Sequence, residues 1–98
     1  MAYTISFRKR AAKEYLNALS WYNKRSLQAA DNLVLAVNET LNKIQDQPDR
    51  FPKTYKNYHE AKTKNYPFSI VYFIDEKNQI IIVSAFFHQK RNPERKFR

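Results

Sequence analysis

The sequence predicts a two-layer α+β domain: a helical hairpin packed on a mainly antiparallel four-stranded sheet, in the order β-α-α-β-β-β. Three observations carry this reading. Hydrophobicity alternates from Tyr3 to Phe7 and then changes to a helical period. Only a short polar connection around Lys24 to Ser26 separates the two helical stretches, which favours an antiparallel hairpin. The stretch from Phe68 to Phe87 is dominated by β-branched and aromatic residues, broken by one polar turn.

Each element has its own signal. In the first strand, Tyr3, Ile5 and Phe7 share one face. From Arg8 to about Lys24, Ala12, Tyr15 with Leu16, Leu19 and Tyr22 form an apolar stripe, with Lys9, Arg10, Lys13 and Glu14 placed on the other side. Ser26 is the expected N-cap of the second helix. That helix carries a stripe of Leu27, Ala30, Val34, Val37, Leu41 and Ile44, widened by Leu33, and should end before Pro48. The stripe is expected to pack within the chain, because the sheet would otherwise be uncovered.

Asp49 to Lys53 reads as a loop, and Thr54 to about Lys62 as a single polar strand. A turn over Thr63 to Pro67 leads into the strand Phe68–Ile74, and Asp75 to Asn78 close a hairpin. Gln79 to Phe87 contains the unbroken run Ile80-Ile81-Ile82-Val83, the pattern of a central strand buried on both faces. The chain has no glycine, so Asn65 and Asn78 are the residues expected to take positive φ in turns. The segment from Lys90 to Arg98 reads as a basic, frayed tail in which Phe97 alone could dock.

The 98 residues are expected to form one domain over 1–98, and 43% hydrophobic residues suffice for a core. The 18 Lys and Arg against 9 Asp and Glu give a net charge of +9, which points to an acidic or polyanionic partner. Cysteine is absent, which excludes disulfides and thiolate metal sites. The N-terminus has no apolar stretch of signal-peptide type, and no run is long enough to span a bilayer. A cytoplasmic protein with no membrane partner is expected.

The same composition narrows the chemistry. His59 and His88 are the only histidines and belong to no metal-binding motif, so no metal is expected. Without glycine there is no phosphate-cradling loop and no dinucleotide fingerprint, so no cofactor is expected either. Ser84 and His88 share a strand with no nucleophile turn, which argues against a triad hydrolase. Metal-free RNA cleavage needs an acid, a base and cations for the developing phosphorane charge. His88, His59 and Glu60 are candidates for the first two roles, and Lys53, Lys56, Lys62, Lys64, Lys90 and Arg91 for the third. Tyr55, Tyr58, Tyr66 and Tyr72 are candidates for stacking bases. For any single Lys or Tyr, composition alone favours the plainer reading, that it protects a strand edge or fills space.

The element order, the basic charge, the strand Tyr66-Pro67-Phe68-Ser69-Ile70-Val71-Tyr72 and the closing Phe87-His88-Gln89-Lys90-Arg91-Asn92-Pro93 together resemble the RelE/ParE superfamily of toxins of type II toxin–antitoxin modules. The resemblance covers nearly the whole chain. It implies growth inhibition by the free toxin and neutralisation by a cognate antitoxin that wraps the basic surface. In the RelE branch the target is mRNA on the ribosome, which is cleaved; in the ParE branch it is DNA gyrase. RelE-type nucleases usually carry an Arg near the start of the third strand and often a Tyr near the C-terminus. Here the strand begins Phe68-Ser69 and Gln89 follows His88, so the resemblance is closer to the ParE branch. It implies a gyrase-binding toxin, with a ribosome-dependent endoribonuclease using His88 as the alternative and a non-toxic nucleic-acid-binding module as a further one. The implied target- or antitoxin-binding surface is Lys53, Lys56, Tyr58, Lys62, Lys64, Gln89, Lys90, Arg91 and Asn92.

Overall fold

The computed structural model of the chain describes residues 3–89. Strand β1 (Thr4–Phe7) runs straight into helix α1 (Lys9–Asn23), followed by helix α2 (Leu27–Asp46). A 3-10 turn over Pro48–Arg50 then leads to β2 (Lys53–Tyr55), β3 (Tyr58–Lys62), β4 (Phe68–Asp75) and β5 (Ile80–His88). The strands form one five-stranded sheet in the order β1-β5-β4-β3-β2. Only β1 and β5 are parallel; the other neighbours are antiparallel. The α+β class is as expected and the strand count is one higher; β5 is an interior strand between β1 and β4, and β4 takes the middle place.

The extra strand comes from the segment read as a single strand over Thr54 to Lys62. It is a tight hairpin: β2 ends at Tyr55, Tyr58 pairs back onto Tyr55, and Lys56 takes φ 49. No glycine, proline or apolar break marks this turn in the sequence. Asn65, at φ 67, makes the next turn as expected. In the β4–β5 hairpin the positive φ falls on Gln79 (55°) rather than Asn78. Asn78 is used differently, because its backbone N–H (3.2 Å) and its Nδ2 (2.9 Å) both donate to the Asp75 carboxylate.

The helices cover one face of the sheet. Ser26 caps α2 by accepting from the Ala29 N–H at 3.3 Å, a cap whose loss typically costs about 1 kcal/mol. The buried line of α2 is Leu33, Val37, Thr40 and Ile44, and Leu41 packs on its flank. The expected stripe thus faces inward from Ala30 to Ile44, with Thr40 added to it, whereas Leu27 is 72% exposed. On α1 the fully buried residue is Ala11 rather than Ala12, and Leu16 is exposed while Tyr15, Ala18, Leu19 and Tyr22 pack on the core. Among the described residues, no helix is long and apolar enough to cross a membrane.

Two details of β5 set the site. Val71 pairs with Ala85 and Tyr72 with Val83, so Ser84 is an extra residue that bulges from β5. Before the bulge, Ile81 and Val83 face the helices; after it, Phe86 does. Ala85 and Phe87 therefore join Val71 and Tyr58 in a second apolar cluster on the opposite face. The parallel pairing with β1 ends at Phe7–Val83, so the Phe86 N–H has no strand partner on that side. Glu14 of α1 supplies one, its Oε1 accepting at 3.0 Å, while Arg10 holds its other oxygen at 3.5 Å. Glu14 was expected on the solvent side with Lys13; it is instead a half-buried strand cap.

Candidate interaction surface

The helix-free face of the sheet gathers Tyr58, Lys62 and Gln89 among the described candidate binding residues. Cross-strand partners share a face, so the register assigns each one. Tyr55 stands opposite Tyr58, with stacked rings 6.4 Å apart. Tyr58 meets Phe73 of β4 edge to face at 5.6 Å. Phe73 pairs with Ile82, and Ile82 with Ser6 of β1. One row of side chains thus crosses all five strands, three of them aromatic. Cations cap the aromatic part: the Lys56 ammonium lies 5.2 Å from the Tyr55 ring, and the Arg8 guanidinium 5.1 Å from the Phe73 ring. A second row runs Lys62, Ser69, Phe87. Gln89 continues this corner, its Nε2 donating to Ser69 Oγ at 2.8 Å and its N–H to the Pro67 carbonyl at 2.8 Å.

The expected surface is therefore brought together only in part. Tyr58, Lys62 and Gln89 share the helix-free face, with Lys56 on its β2–β3 turn and Lys64 on the β3–β4 turn. Lys53 pairs with His59 and so points to the helix side of the outermost strand. Lys53, Lys56, Lys62 and Lys64 are all exposed. Lys90, Arg91 and Asn92 lie outside the described residues, as does Phe97. Arg8 and Phe73 were missed in the sequence. Phe73 lies next to Tyr72 in an apolar run, where periodicity alone cannot say which ring faces the core.

The histidines have distinct places. His59 is 3% exposed. Its Nδ1 lies 2.7 Å from the Phe51 carbonyl, its Nε2 is 3.9 Å from Asp49, and its ring lies flat on Tyr72. That is a core position rather than that of a proton shuttle facing substrate. Tyr72 is equally closed: its hydroxyl donates to the Pro48 carbonyl at 2.6 Å, and burial, followed by the Asp49 charge, raises its pKa well above that of a free phenol. Tyr66 packs on the core beside Tyr22. Of the four candidate stacking tyrosines, Tyr55 and Tyr58 stand on the helix-free face. Ser84 is buried and its hydroxyl donates to the Val71 carbonyl at 3.4 Å, which is not how a nucleophile is presented. The bulge turns His88 to the helix side, where it meets Phe68 edge to face at 5.3 Å. Among the described residues, no three His, Asp or Glu side chains cluster as a metal site. The site offers rings and cations at fixed spacing, suited to binding a flat or anionic partner.

Comparisons with known proteins agree with the fold. Residues 5–93 match the family model described as "ParE toxin of type II toxin-antitoxin system, parDE". Among solved structures, the chain is similar to one titled the chromosomal ParDE TA system from P. aeruginosa, with a TM-score of 0.73, 13% identity, and coverage of 88% of this chain and 95% of that one. It is also similar to the intact E. coli RelBE toxin–antitoxin complex, with a TM-score of 0.64, 17% identity, and coverage of 92% and 100%. A third likeness is to the RelBE2 toxin–antitoxin complex from Mycobacterium tuberculosis, with a TM-score of 0.61, 15% identity, and coverage of 90% and 99%. At these identities the structural likenesses speak to the fold alone. A search of curated proteins finds no match.

Proposed function

The chain belongs to the ParE toxin family of type II toxin–antitoxin systems, and from that premise we infer that the free protein arrests growth by binding DNA gyrase, while a cognate antitoxin holds it inactive. Residues 1–98 act in this reading as one toxin domain. The observation that carries the binding reading is the state of the two histidines. His59 is spent on the Phe51 carbonyl inside the core, and His88 packs on Phe68 on the face of the sheet opposite Lys62. The candidate surface is a cationic and aromatic one, made of Lys56, Tyr58, Lys62, Lys64 and Gln89 around the helix-free face, with Lys53 at its border and Lys90, Arg91 and Asn92 following in sequence.

An antitoxin suits the same surface. A net charge of +9 is relieved by an acidic segment laid along it, and the solved relatives include toxin–antitoxin complexes. Such a partner would compete with the target for the same cations, which is a direct route to neutralisation.

The test is paired. Purified protein is added to gyrase in a supercoiling assay and to ribosomes programmed with mRNA. Loss of supercoiling without mRNA cleavage supports the gyrase reading. Cleavage that disappears in His88→Ala would replace it with the ribosome-dependent nuclease. Expression with and without the neighbouring reading frame adds the antitoxin arm: growth arrest that the neighbour relieves is expected, and no arrest in either case would sink both toxin readings.

A further inference from the structure

We propose that the outer face of helix α2 is a homodimerisation surface, on which a second copy of this chain packs antiparallel about a two-fold axis at Asp31. The inference concerns the helix side of the molecule and does not depend on the gyrase reading. Three observations carry it. The helix leaves two leucines in water, Leu27 at 72% and Leu35 at 66% exposed, while Leu33, Val37 and Ile44 of the same helix are fully buried. These two leucines lie one turn before and one turn after the exposed Asp31 and form an i, i+4, i+8 ridge with it. Leu35 also lines, with Ala36 and Tyr66, an open groove between α2 and the β3–β4 turn, bordered by Glu39 and Lys64. Finally, α2 carries Asp31, Glu39 and Asp46 against the single cation Lys43, on a chain whose net charge is +9.

That charge selects the occupant. An acidic segment, which suits the lysines of the helix-free face, meets like charges on α2. Two copies of a +9 chain repel where their lysines face one another, and α2 is a surface on which they can approach without this. The sequence is also self-complementary about Asp31, as a two-fold contact requires. Positions equidistant from the axis meet, so Leu27 stands opposite the partner's Leu35 and Leu35 opposite the partner's Leu27. A separation of four residues is about 6 Å along a helix, which keeps both pairs inside the contact of two helices packed about 8 to 10 Å apart. Leu27 then enters the groove beside the partner's Leu35. Farther out, Lys24 and Glu39 lie at nearly equal distances on either side of Asp31, so opposite charges meet at both ends. Glu39 is otherwise paired with Lys43 at 3.9 Å, an exposed contact of little strength. Asp31 meets its own copy at the axis, which keeps the dimer weak. The helix-free face lies on the other side of the sheet, so the dimer presents two copies of the candidate surface.

The experiment is sedimentation of the purified full-length protein over a wide concentration range, at moderate salt where long-range repulsion is screened. A contact of one helix face belongs to the weak class of interfaces. The mass should therefore rise with concentration from the 11.8 kDa of one chain toward twice that value. Each substitution acts twice in a symmetric dimer. Leu35→Lys should weaken dimerisation by at least about tenfold, and Asp31→Asn, which removes the like charges at the axis, should tighten it by about threefold. Lys24→Glu and Glu39→Lys should each weaken it by about threefold or more, and the two together should restore it. The substituted residues are exposed, and unchanged thermal melting confirms that the variants fold. The proposal is overturned if the parent stays monomeric throughout, if Leu35→Lys dimerises as the parent does, if Asp31→Asn weakens the dimer, or if the exchanged pair of charges fails to restore it. A parent that stays monomeric but captures the product of the neighbouring reading frame through Leu35 would assign the face to an antitoxin and likewise overturn it. Gyrase inhibition is measured separately on the same variants, so either reading can fail alone.

Discussion

His59 lies flat on Tyr72, ring centroids 5.0 Å apart and planes 11° from parallel, and both rings are tied to the same connection between α2 and β2. The Tyr72 hydroxyl donates to the Pro48 carbonyl and the His59 ring bonds the Phe51 carbonyl. A carbonyl only accepts, so Nδ1 of His59 carries the proton. Two neighbouring strands thereby fix a stretch that has no regular pairing of its own, and β2 starts from that anchored point. Tyr72→Phe keeps the stack and removes one buried donor, so it should lower stability by about 1 kcal/mol. Tyr72→Ala also opens a cavity and should cost about 3 to 5 kcal/mol. Urea unfolding of both variants checks the difference.

The same burial makes an alkaline prediction. The pKa of Tyr72 is raised chiefly by desolvation, and that of Tyr15 is raised by the same cause. A pKa higher in the folded than in the unfolded state stabilises fully below the unfolded value, about 10 for a phenol. That contribution is lost as pH rises toward the folded value. Spectrophotometric titration should show fewer than the chain's 7 tyrosines ionising while it stays folded. The rest should ionise together with loss of near-UV circular dichroism. Smooth ionisation of all of them before unfolding would contradict the burial of Tyr72.

Glu14 and Phe86 give a third prediction. The carboxylate accepts the N–H that β1 leaves unpaired where its pairing with β5 ends. Glu14→Ala should cost about 1 to 2 kcal/mol by leaving a strand N–H unsatisfied. Glu14→Gln keeps an acceptor oxygen and should cost less. Amide exchange at Phe86 should quicken in the alanine variant before any other β5 amide does.

These sites also mark where the sequence stops being legible. Periodicity sufficed to find α1 and α2, and long β-branched and aromatic runs to find β4 and β5. It could not see the Ser84 bulge, since one extra residue in an apolar run leaves composition unchanged while exchanging the faces of everything after it. That exchange put His88 on the helix side of the sheet, on the face opposite Tyr58 and Lys62. It could not see the β2–β3 turn, because Lys56 adopts a positive φ that nothing in its chemistry announces. Glu14 read as solvent-facing because its neighbours Lys13 and Arg10 are charged; its real partner is 72 residues away. The cationic surface was legible from composition, but Arg8 and Phe73 join it only through register.

The Lys56 turn leads to a stabilising prediction. A side chain other than glycine held in the left-handed region costs about 1 kcal/mol, and asparagine tolerates that region better than lysine. Asn65 already does so at φ 67 in the next turn. Lys56→Asn should therefore raise stability by about 0.5 kcal/mol, read as a higher urea midpoint at unchanged slope.

His88 supplies the prediction that bears most directly on function. Its ring packs edge to face on Phe68, which is itself stacked on Phe86 at 4.8 Å. A phenylalanine can occupy that place, so His88→Phe should fold while removing any proton-transfer capacity. In a binding toxin, growth arrest after induction should then stay within about twofold of the parent. A general acid or base in RNA cleavage contributes about a hundredfold or more, so in a nuclease the same variant should lose arrest altogether. Colony counts after induction, with toxin abundance matched by immunoblot, separate the two outcomes. Relief of arrest by His88→Phe at equal abundance would return His88 to a catalytic role.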